Sequence, residues 1–127
     1  MMRLLHFIFL MLFAVSAQAA LVASTATGTA FASSVAVSSF ALNRASSVNI
    51  GDLLLVQINF GNTGITVATP TGWTLLRVDS NSGSGVDDRQ YLFYRFATTS
   101  DTPNGTTTWN LSASTQVVAG MTGFRSD

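Results

Sequence analysis

The chain has 127 residues, a formal net charge of zero, 9% charged residues and no cysteine. That length holds one small domain, the missing cysteines exclude a disulfide scaffold, and the missing basic stripe excludes the phosphate neutralisation that nucleic-acid binding requires. Beyond residue 19 the charges are Arg44, Arg77, Arg89, Arg95 and Arg125 against Asp52, Asp79, Asp87, Asp88, Asp101 and Asp127, with no lysine, glutamate or histidine.

The chain opens with MMRLLHFIFLMLFAVSAQAA. Arg3, an apolar run over residues 4–15 and the small-residue site Ala17-Gln18-Ala19 predict a secretory signal peptide over 1–19, cut after Ala19. The run is shorter than the roughly 20 residues that cross a bilayer, so no membrane span is expected after cleavage. The remainder, 20–127, is expected to form a single β-sandwich domain, secreted or held at the cell surface.

Residues 21–49 are rich in Ser and Ala, and Phe31, Val35, Val37 and Leu42 give patches of period-two alternation. One or two weak strands are predicted there, since the Ser, Thr and Val content disfavours a helix. GDLLLVQINFGN is the clearest strand, over 53–60, with turn signals at Gly51-Asp52 and Gly61-Asn62. Its alternation places Leu54, Val56, Ile58 and Phe60 on one face, and Leu53, Leu55, Gln57 and Asn59 on the other. Apolar residues on both faces predict a central strand.

TPTG at 69–72 and TPNG at 102–105 read as type I turns, each followed closely by a tryptophan, Trp73 and Trp109. The stretch DSNSGSGVDD reads as a flexible polar loop joining the strand WTLLRV to RQYLFYRFA. The second strand is predicted to carry Tyr91, Phe93 and Arg95 on one face and Leu92, Tyr94 and Phe96 on the other. A last strand is predicted over 117–124. Short turn-bounded strands without a long helical pattern predict an all-β, antiparallel sandwich, with a jelly roll favoured over an Ig-like arrangement.

Ser-His-Asp and Cys-His machinery and zinc sites built on those ligands cannot be assembled from residues 20–127, and no enzyme activity is expected. Ser84, in SGSG, lacks the spacing of a nucleophile elbow. Asp87 and Asp88 are adjacent, so a strand would send them to opposite faces, which does not suit a glycosidase pair. Asp79, Asn81, Asp87 and Asp88 offer the hard oxygen donors that Ca²⁺ prefers, although a solvated hairpin loop explains them with fewer assumptions. No other cofactor is implied. Trp73, Trp109, Tyr91 and Tyr94 are the residues that could stack on a sugar ring. Both tryptophans stand beside turns, where a buried ring closes one end of a sandwich, and the core reading is favoured over a sugar platform. Asn104 and Asn110 stand in Asn-x-Thr and Asn-x-Ser acceptor patterns.

The order GDLLLVQINF, PTGWTLLRV, YLFYRFAT, VAGMTGFRSD resembles a β-sandwich module of exported bacterial surface proteins, over about residues 50–127. Modules of this kind stand near the N-terminus of long secreted chains, among them proteins of mannose-sensitive haemagglutinin pilus biogenesis and proteins with Ig-like repeats. The resemblance implies a non-catalytic structural or adhesive part whose partners are other domains of a larger parent protein or neighbouring surface proteins. It also implies continuation past residue 127, and hence a sheet lacking its last strands. The alternative expectation is a carbohydrate-binding module that takes glycans on exposed aromatic residues.

Overall fold

The computed structural model describes residues 21–23, 29–44, 47–83, 86–99, 101 and 105–126. The expected signal peptide, Ser84 and the Pro103 turn with Asn104 lie outside them. The fold is all-β and antiparallel, with strands β1 (Leu21–Ala23), β2 (Thr29–Asn43), β3 (Leu53–Phe60), β4 (Val67–Ala68), β5 (Thr74–Gly83), β6 (Val86–Phe96) and β7 (Thr106–Ser126). Among the described residues no helix is long and apolar enough to cross a membrane.

β3 sits where its alternation places it. It pairs with β6 on one side and β7 on the other, and Leu54, Val56, Ile58 and Phe60 all point into the core. Full burial of aliphatic side chains of this size contributes roughly 1.5–3 kcal/mol each. The main layer runs β1-β7-β3-β6-β5, and β2 and β4 also pair with β7.

One sheet becomes two layers because β2 and β7 turn a corner together. Phe31 and Phe40 both belong to β2, and an extended strand rising ~3.3 Å per residue would hold them about 30 Å apart. Their rings instead stack at 5.0 Å, and Thr29 Oγ1 donates to the carbonyl of Asn43. The bend falls where the β2–β7 register shifts, between Ser33 and Val37 and again between Val37 and Ser39, as bulges permit. Gln116 Nε2 donates to the Ser34 carbonyl at 2.5 Å, and Ser33 Oγ accepts from the Val35 amide at 3.2 Å, so side chains serve part of the backbone that the interrupted ladder leaves open. Past the corner, Phe40 and Leu42 of β2, Trp109 of β7 and Val67 of β4 form the inner side of the second layer, packed in one core with the main layer.

Several sequence expectations change. The weak strands of residues 21–49 are chiefly one 15-residue strand, β2, and the segment opened by Trp109 and the strand expected at 117–124 are one 21-residue strand, β7. The loop expected at 79–88 is mostly ladder: pairing continues through Asp79↔Gln90, Asn81↔Asp88 and Gly83↔Val86. Polar composition made this hairpin read as a loop. The turn before Trp73 lies one residue later than expected. Trp73 N donates to Pro70 O at 3.1 Å, and Gly72 at φ 82° occupies the third turn position, as in a type II turn. The turn into β3 is built alike, with Asp52 N donating to Asn49 O at 3.1 Å and Gly51 at φ 88°.

Candidate functional site

The four aromatic candidates do not converge on a surface. Trp73 is 6% exposed and Trp109 0%, and their rings meet edge to face at 5.2 Å. Phe93 lies 4.9 Å from Trp109 although β6 and β7 are not paired, so this contact joins the two layers. Tyr91, also buried, stacks on Phe93 at 5.9 Å and its hydroxyl donates to the Ile65 carbonyl at 3.5 Å. Tyr94 stands apart, half-buried on the opposite face of β6, against Leu55 of β3 and Thr74 of β5.

Three of the four oxygen donors of the β5–β6 hairpin, Asp79, Asn81 and Asp88, come together on the lining of one hollow of about 310 Å³, and Asp87 is set apart from them. Asp79 and Asn81 share a face of β5, and Asp88 stands across from Asn81; Asp87 stands across from Ser82, on the other face. Asp79 is engaged by Arg77, whose Nε donates to it at 2.8 Å. Among the described residues no group of three or more His, Cys, Asp or Glu side chains could hold a metal ion.

Two ionic ties, both at the end of the sheet where β3 begins and β6 and β7 finish, involve residues that sequence reasoning had not singled out. Asp101 has a side chain 1% exposed. It accepts from Arg95 Nη2 at 2.7 Å and from the Thr98 amide at 2.7 Å, and it also pairs with Arg44. Arg95 in turn lies over the Trp73 ring, its guanidinium carbon 5.6 Å from the ring centroid, so the charged cluster caps the aromatic one. In the second tie, buried Asp52 receives Arg125 Nε at 3.0 Å and Nη2 at 2.9 Å, and the Asn49 amide at 2.7 Å. The Arg125 hydrogen bonds hold the Asp52 carboxyl below its ordinary range; burial opposes this, and the Asn49 amide adds to it. The sequence carried one faint signal: Arg95 falls on the Tyr91–Phe93 face of β6, where an unpaired cation would be costly.

A further feature is the outer face of the main layer. A shallow groove of about 390 Å³ runs over Gly120, edged by Leu55, Gln57, Leu92, Val118 and Phe124. Beside it a second hollow of about 250 Å³ is lined wholly by Leu53, Leu55, Leu76, Tyr94 and Phe96. Leu76 reaches this position because the β5–β6 register shifts between Leu75 and Arg77, leaving it without a partner. The face is apolar at this end and becomes amide-bearing toward Gln57, Asn59 and Gln90, the gradient already visible along β3.

No protein-family model, curated protein or solved structure matches the chain.

Proposed function

We propose that the chain is a non-catalytic, exported module that serves as a structural or adhesive part of a cell-surface or pilus-associated protein. The observation that carries this reading is the use the fold makes of its aromatic and charged groups. Trp73, Trp109, Tyr91 and Phe93 join the two layers. Arg44, Arg95 and Asp101 fasten one end, and Asp52 with Arg125 ties the last strand to the turn before β3. These groups act between elements of the chain itself, the pattern of a stiff module that holds without disulfides. The signal-peptide pattern of residues 1–19 supplies the route outward.

The test has two parts. Fusion of residues 1–127 to a phosphatase that gains activity only after export should give an active enzyme whose N-terminus begins at residue 20. Intact cells making the parent protein should lose the module to added protease. An inactive fusion with an uncleaved leader contradicts the reading. Saturable glycan binding by the purified chain that disappears in Tyr94→Ala would instead support a carbohydrate-binding module.

A further inference from the structure

Leu76 and Phe96 are among the most exposed large apolar side chains of the described residues, at 56% and 59%. Both stand on the rim of the 250 Å³ hollow on the outer face, whose other lining residues are Leu53, Leu55 and Tyr94. The neighbouring rows on this face are Leu53↔Phe124 and Leu55↔Thr122. The sheet therefore presents apolar knobs beside an apolar hole, whereas the most exposed large apolar residues away from this face among those described, Val35 and Ile50, stand singly at the β2 corner and in the turn before β3.

Three occupants fit poorly. The hollow is smaller than the ~300–1,000 Å³ of small-molecule pockets, and the 390 Å³ groove beside it is shallow and open, without the walls that enclose such a ligand. A sugar ring needs a flat platform, but the Tyr94 and Phe96 rings stand at 84° to each other. A lipid surface calls for Lys or Arg around the apolar patch; Arg77 lies beside Leu76 but is held by Asp79 at 2.7 Å.

A second copy of this chain fits on two counts. Knob and hole lie on one surface, which is what a two-fold, self-complementary contact requires. The area also suffices. β3 is eight residues long, so the face extends roughly 26 Å along it and roughly 20 Å across the neighbouring strands. With side-chain relief included, a second sheet laid on it buries on the order of 800 Å² per partner, the standard size of a specific pair. The local charge is neutral, since Arg77 and Asp79 cancel.

We infer that the outer face of the main layer is a self-association surface, through which two copies pack sheet to sheet with Leu76 and Phe96 of each entering the hollow of the other. This inference is independent of the proposed surface role, because it concerns the purified chain alone.

The test is sedimentation of the full chain as recovered after export, from ~1 nM, followed by fluorescence, to ~1 mM, a range that brackets weak and tight pairs. The inference expects a dimer, and Leu76→Ser with Phe96→Ser should weaken it by roughly 30-fold or more while leaving the far-ultraviolet circular dichroism unchanged. Should that double variant fail to fold, the single variant Leu76→Cys carries the test. The chain has no cysteine of its own, so a spin label there should report a short distance between copies that vanishes on dilution. A monomer throughout the range, a dimer indifferent to both serine substitutions, or labels far apart in the dimer would each overturn the inference. Binding of the monomer to neutral phosphatidylcholine vesicles would overturn it in favour of a lipid surface.

Discussion

Replacing Trp109 with alanine removes the ring at the centre of the layer contact, and its effect can be worked from the structure. The side chain is fully enclosed, with Trp73 at 5.2 Å and Phe93 at 4.9 Å as ring neighbours. Deleting a large buried aromatic costs ~3–5 kcal/mol, and two broken ring pairs place Trp109→Ala toward the upper part of that range. A domain of this size is stable by ~5–15 kcal/mol in all, so a third or more of its stability should vanish. Trp109→Phe separates ring packing from the polar edge. The indole N–H has no hydrogen-bond partner among the described residues, and such a buried donor costs ~1–3 kcal/mol. Phenylalanine gives up some ring area and also removes that cost, so its net change should stay within about 1 kcal/mol. Urea unfolding followed by circular dichroism measures both, and with a slope of ~1–3 kcal/mol per molar the alanine variant should shift its midpoint by more than about 1 M. A Trp109→Ala loss no larger than that of Ile50→Ala, at an exposed position away from the outer face, would refute the claim that the indole couples the layers.

Three further outcomes follow from the turns and the ionic ties. Gly72→Ala should lower stability by about 1 kcal/mol or more, because φ is 82°, a conformation that a residue with a Cβ adopts only under strain; thermal unfolding reads this directly. Asp101→Ala strips the carboxylate from Arg44 and Arg95, both largely buried, and breaking such a cluster should cost ~3–5 kcal/mol in denaturant titration. Asp52 is held below its ordinary pKa by Arg125. Its contribution is therefore present above the unfolded-state value near ~3.9 and is lost as pH falls through the lower folded value. Stability measured from neutral pH down into that acid range should fall in the parent chain and fall less in Asp52→Asn.

Particular residues show which parts of the fold were legible. β3 was readable to the residue because Leu54, Val56, Ile58 and Phe60 alternate without interruption between turn signals, and all four are core. The faces of β6 were readable for the same reason. β2 and β7 were read short because at the corner the period of two breaks: Val35 is exposed, and Ala113 and Ser114 lie in the interval of β7 where its register against β2 shifts. The far end of the β5–β6 hairpin was read as loop because Ser, Asn and Asp there face solvent on a two-stranded extension, where pairing is local and carries no hydrophobic signature. The favoured reading of the tryptophans as buried rings followed from their place beside turns. The ionic ties were hidden for another reason: Asp52 and Arg125 are 73 residues apart, and only the return of β7 alongside β3 brings them together. The outer-face patch was half visible in the Leu53–Leu55 end of β3, but Leu76 joins it through a bulge that alternation does not announce.

The most direct test of the account is collisional quenching of tryptophan fluorescence by acrylamide in the folded chain, compared with the same chain in denaturant. Two indoles packed between layers should emit at short wavelength and quench several-fold more slowly when folded. Quenching in the folded chain as fast as in the unfolded one, with circular dichroism confirming intact strands, would contradict it.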